Sequence, residues 1–106
     1  MELFNSIKQF LVGLDENNIH FKKHFYDKIR ERPISEGLVK SSIKKTEKLL
    51  AVEKQRSRIP GQEKYKFWIK LSNRYSLVVV AAISKKDLYI ITAWNTDRKW
   101  QKELQK

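Results

Sequence analysis

The spacing of apolar residues changes once along this chain, near residue 49, and that change limits the fold more than any other feature. Before it, apolar residues recur every three or four positions, the spacing of a helix that buries one face. After it they alternate or run continuously, as in half-buried and central strands. Leu3, Phe4, Ile7, Phe10, Leu11 and Leu14 predict a first helix ending near Gly13, before the polar turn Asp15-Glu16-Asn17-Asn18. Ile19 to Phe21 reads as a short extended piece. Lys22 to Arg32 reads as a second helix with Phe25 and Ile29 inward, stopped by Pro33. Ser35 is an N-cap for a third helix running to about Lys45, burying Leu38, Val39 and Ile43.

Four strands follow. They are Leu49 to Gln55, Lys64 to Leu71, Tyr75 to Ile83 and Leu88 to Trp94, with turns at Pro60-Gly61, Asn73-Arg74 and Lys85-Lys86-Asp87. Short connections predict an antiparallel meander. Helices first and strands second predict an α+β domain, two or three N-terminal helices packed on one face of a four-stranded, mainly antiparallel sheet. The 106 residues suffice for one domain, 1–106, and not for two independent cores.

Charge narrows the partner. Lys and Arg number 23 against 12 acidic residues, a formal +11, so a polyanionic partner is expected. Residues 22–58 hold 12 basic and 5 acidic residues, which places over half of the net charge there. The plainer reading is a solvated lysine-rich surface. Cysteine is absent, which rules out disulfides, thiolate zinc sites and cysteine nucleophiles. The longest apolar run, Leu77 to Ile83, is far short of the ~20 residues that span a bilayer. Met1 to Leu14 carries Glu2 early and has neither a basic start nor a small-residue cleavage site, so it does not read as a signal peptide. The expectation is a cytoplasmic protein with no membrane partner and no cofactor.

The most suggestive local pattern is His24, Lys28 and Arg32, spaced by four and preceded by His20. On one helix these share a face. Metal-independent RNA cleavage needs a base for the 2′-hydroxyl, an acid for the leaving oxygen and cations for the phosphorane charge. Histidine suits the proton transfers, its ordinary pKa of about 6.5 lying near working pH. Arginine suits the charge through its planar fork of donors. A lone histidine on a basic helix is more often a surface residue, and His20 adds weight only if the two rings converge. Two histidines with Asp27 as the nearest acid make a poor metal set, so no metal site is expected.

Aromatics interleaved with cations give a second signal. Tyr65, Trp68, Tyr75, Tyr89, Trp94 and Trp100 alternate with Lys64, Lys66, Lys70, Arg74, Arg98 and Lys99. That pattern suits single-stranded RNA, where bases stack and phosphates pair with charge. Most of these rings are equally at home in a half-buried sheet. Trp68 stands among lysines by strand parity, so it either stacks on RNA or packs beneath the N-terminal helix. Thr92 is polar within an apolar strand. It is a good strand former, or with Asn95 and Arg98 at the strand's exit it lines a site. The candidate catalytic residues are therefore His24, His20, Arg32 and Thr92. The candidate RNA-binding residues are Lys28, Arg30, Lys66, Trp68, Arg74, Asn95 and Arg98.

The order of these features is similar to that of a known family. His24 opens a helix, Lys28 follows by four, and then come Arg32-Pro33-Ile34-Ser35, a third helix, the aromatic strand Tyr65 to Lys70, the apolar strand Leu77 to Ile83, and Ile90-Ile91-Thr92-Ala93. Over roughly residues 19–100 this resembles the small toxins of the barnase–EndoU–colicin–RelE nuclease fold, RelE- and ParE-like proteins among them. The resemblance implies metal-independent RNA cleavage by 2′-hydroxyl attack, free or on the ribosome, and an acidic antitoxin partner. It also implies His24 as acid or base, Lys28 and Arg32 at phosphate, and Thr92 in a sheet-side pocket. Phe25 stands where a small residue is frequent in the family, and Lys28 where arginine is. A non-catalytic RNA- or DNA-binding module on the same basic surface is the alternative.

Overall fold

The computed structural model describes residues 2–30, 32 and 34–97. Among them are three α-helices, α1 (Glu2–Val12), α2 (Lys23–Ile29) and α3 (Glu36–Lys44). Five strands accompany them: β1 (Ile19–Phe21), β2 (Leu49–Gln55), β3 (Glu63–Lys70), β4 (Tyr75–Ser84) and β5 (Asp87–Asp97). They form one α+β unit with strand order β1-β5-β4-β3-β2. The meander β2 to β5 is antiparallel, whereas β1 pairs with β5 in parallel.

The mainly antiparallel meander holds as expected, and the expected four strands become five, the fifth pairing in parallel. The extended piece at Ile19 to Phe21 supplies the fifth, through Ile19 opposite Leu88 and Phe21 opposite Ile90. Three residues show too little alternation to reveal such a pairing. The chain leaves β1 at one sheet edge, crosses under the sheet through α2 and α3, and re-enters as β2 at the other edge.

Local signals explain the helix ends. The Ser35 hydroxyl accepts from the Leu38 amide at 3.1 Å, the N-cap that the sequence predicts for α3. The Lys44 ammonium donates to the Leu11 carbonyl at 3.4 Å and to that of Leu14, so α3 caps the carbonyl end of α1 with a cation. Helix α2 stops at Ile29, not Arg32 as the periodicity suggested. The sequence places a proline shortly after, which disfavours helical dihedrals in the residue before it, and the Arg32 side chain reaches the sheet.

All three helices lie on one face of the sheet. Ile7 and Leu11 from α1, Phe25 from α2, and Val39 and Ile43 from α3 share one core with Phe67, Ile69, Leu77, Val79, Leu88 and Ile90. Trp68 and Val78 are also buried but stand outside that core. No helix among the described residues is long and apolar enough to cross a membrane.

Candidate nucleic-acid interface

Strand alternation assigns the side chains of the opposite face, which carries no helix among the described residues and is called the helix-free face below. With Phe67 and Ile69 in the core, Lys64, Lys66, Trp68 and Lys70 of β3 point the other way. The register carries this across the sheet: Lys64 lies opposite Ala82, Ala82 opposite Tyr89, and Tyr89 opposite His20. Trp68 therefore does not pack beneath the N-terminal helix. It is 5% exposed, next to Val78 and Ala51, and the Lys66 ammonium lies 5.0 Å from its ring centroid and 5.3 Å from that of Trp94. A base could stack on Trp68 only after Lys66 moved.

A bulge decides the fate of Thr92. Ala81 pairs with Ile90 and Val80 with Thr92, leaving Ile91 as an extra residue in β5. Strict alternation from buried Ile90 would drive Thr92 and Trp94 into the core. The bulge shifts the parity, so Ala93 is buried instead and Thr92 joins the helix-free face. Arg32 then reaches the edge of β5 that β1 leaves uncovered. Its Nη1 donates to the Thr92 hydroxyl at 3.2 Å and to the Ala93 carbonyl at 2.8 Å. Of the four candidate catalytic residues, Arg32 and Thr92 are in direct contact.

His20 belongs to the same side of the sheet. Its ring stacks on Tyr89, centroids 4.9 Å apart, and its Nε2 lies 3.0 Å from the Asp87 carboxylate. Asp87 opens β5 directly after the tight turn at Lys85, two residues before Tyr89, so both project toward His20. The His20 side chain remains 44% exposed. An exposed pair of this kind adds ~0–1 kcal/mol to stability, so its value to the fold is small. Lys22, two residues on, places its ammonium 5.4 Å from the Tyr89 centroid.

Beyond Lys22 the face opens into a cleft of about 480 Å³ beneath the β2–β3 loop. Its cationic rim is Lys22, Arg56, Arg58 and Lys64, and its apolar surface is Ile59, Ala82 and Ile91. Sequence reasoning did not single out Lys22, Arg56, Arg58 or Asp87, and it named Tyr89 only among the interleaved aromatics. The basic bias of residues 22–58 was the available signal for the first three. Asp87 had none, because it meets His20 across 67 residues of chain.

The remaining candidates scatter. His24, Lys28 and Arg30 are exposed on or just after α2, and no hydrogen bond or ion pair fixes the His24 ring among the described residues. Arg74 lies in the β3–β4 turn, its guanidinium 5.3 Å from the Tyr75 centroid. Asn95 pairs with Leu77 near that same end of the sheet. From Lys64 to Lys70 a strand advances roughly 20 Å, so neither residue reaches the cleft. Arg98 and Trp100 lie outside the described residues.

Two phenols titrate above their ordinary range. Burial pushes Tyr65 up to about 12, helped by its hydrogen bond to Glu63. The Tyr26 phenol is raised chiefly by its 2.5 Å hydrogen bond to Glu36. Neither adjoins the cleft. His20 and Asp87 offer two ligands, and the described residues contain no cluster of three or more imidazoles and carboxylates able to hold a metal. The chain matches no family model, and no curated protein or solved structure is significantly similar to it.

Proposed function

We propose that this protein engages RNA on the helix-free face of its sheet and cleaves it without a metal ion. The observation that carries the reading is the His20–Asp87 pair, half open to solvent, stacked on Tyr89 beside the Lys22 ammonium. Those are the parts that 2′-hydroxyl attack needs. His20 accepts the 2′-hydroxyl proton, and Asp87 holds the ring in place. The 2′-oxygen bonds to phosphorus, and the bond from phosphorus to the 5′-oxygen breaks. The leaving oxygen takes a proton from the imidazolium, so the products carry a 2′,3′-cyclic phosphate and a 5′-hydroxyl. Lys22 offsets charge on the phosphorane, and Thr92 lines the same face about 10 Å along β5. The order of motifs that resembles RelE-like toxins supports the same chemistry. An acidic antitoxin-like protein covering these cations would then silence it, and the ribosome is a fitting source of RNA.

Of the two candidate histidines, this reading gives the proton-transfer role to His20 rather than His24. Labelled RNA incubated with EDTA-treated protein should yield cyclic phosphate ends. His20→Ala should slow cleavage by ~10²-fold or more, a typical loss for a positioned acid or base, while His24→Ala stays within a few-fold of the unaltered protein. Absence of cleavage, or an unchanged rate in His20→Ala, defeats the proposal. One observation favours a non-catalytic binding module instead: the Arg32 guanidinium is engaged by the sheet edge, away from the histidine pair.

A further inference from the structure

We infer that the cleft beside the histidine pair holds one unpaired nucleotide, so that the substrate class is single-stranded RNA. This rests on the RNA reading above and deepens it. Lys22 leaves β1 at one side of the cleft, and Lys64 stands on β3 at the other. Between them run β5 and β4, which contribute Ile91 and Ala82 to an apolar floor. Three strand spacings separate the two lysine backbones, roughly 14 Å. That leaves room for one nucleotide with a phosphate at each side. Arg56 and Arg58 approach from the β2–β3 loop, where planar guanidinium groups can grip phosphate oxygens in pairs. The cleft's volume of about 480 Å³ lies within the ~300–1,000 Å³ usual for small-ligand sites.

The combination selects the ligand. Cations alone would accept any polyanion, a carboxylate-rich protein included. The floor between them is apolar, with Ala82 buried and Ile91 half-buried, and Ile59 overhangs it while 52% exposed. A base that stands free of its stack fills such a floor while its phosphates meet the rim. A duplex keeps its bases stacked and paired, so it presents phosphate to the rim and leaves the floor empty. The Ile91 bulge puts this floor next to Thr92, and Lys22 serves both the cleft and Tyr89. A nucleotide held here therefore hands its neighbouring phosphate to His20.

The test uses a fluorescent 2′-O-methyl RNA 12-mer, which cannot undergo 2′-hydroxyl attack, with the full chain in EDTA. Anisotropy should show the single strand binding at least about tenfold tighter than its duplex. Arg56→Ala/Arg58→Ala should lower the salt slope by roughly 1.4, two single-strand phosphate contacts at ~0.7 each. Ile91→Ser and the exposed loop variant Ile59→Ser should each raise Kd about fivefold or more, through loss of apolar surface buried against the base, with far-UV circular dichroism unchanged. Equal affinity for duplex and single strand overturns the inference. So does full competition by poly-glutamate at matched charge, which would mark a surface for an acidic protein, or an unaltered Kd in both serine variants. Because the probe cannot be cut, a protein that binds as expected but never cleaves natural RNA defeats the ribonuclease proposal alone.

Discussion

The two faces of this sheet are built from the same strands and answer to different demands. On the helix side, Phe67, Ile69, Leu77, Val79, Leu88 and Ile90 are 0–1% exposed and carry no charge. On the other side, the same strands present Lys64, Lys66, Ala82, Tyr89 and Thr92, with His20 and Lys22 alongside. The helix side fixes which strand sits where, because a one-residue slip would exchange the two sets. Once that is fixed, the helix-free side can vary its chemistry at little cost to the fold. Ser76, Val78 and Ala82 of β4 and Trp68 of β3 are exceptions, buried on this side as well.

The sharpest challenge to this division is a core truncation. Phe67→Ala should cost ~3–5 kcal/mol in urea unfolding, while RNA affinity per folded molecule stays unchanged. A Phe67→Ala protein that is as stable as the parent would show the helix side to be loosely packed and would erase the contrast.

Arg32 tests the seam between the faces. Arg32→Met removes the donor to the Thr92 hydroxyl and the Ala93 carbonyl at a part-buried stretch of the β5 edge. A loss of ~1–3 kcal/mol is expected, with hydrogen exchange rising first at the β5 edge and α2. If instead stability holds and RNA cleavage collapses, Arg32 belongs to the reaction and its contacts seen here are those of a resting state.

Lys66 should give the smallest change in stability. Lys66→Met removes an ammonium from two indole rings, worth about 0.5–1 kcal/mol at such sites. Its larger signature should be a fall of ~0.7 in the salt slope of RNA binding. A stability loss matching that of Phe67→Ala, with no change in salt slope, would make Lys66 part of the fold rather than of the binding surface.

Much of the architecture was legible because it follows from local rules. Apolar spacing set the three helices and the meander, the Ser35 hydroxyl marked the start of α3, and the β3 alternation already separated Phe67 from Lys66 and Trp68. The site was less legible. The His24, Lys28 and Arg32 stripe assumed a continuous helix, but the helix ends at Ile29 and Arg32 bonds to the sheet edge instead.

By its own order of residues, then, the chain determines an α+β domain with a sheet of opposed character and a large excess of cations. Which cations meet an imidazole was decided only in three dimensions. A three-residue strand paired in parallel with a strand nearly seventy residues away, and one extra residue at Ile91 reversed the facing of Thr92 and Trp94. Both are long-range events: neither a short strand nor a bulge carries enough alternation of its own to announce itself, and each is fixed by the pairing it finds.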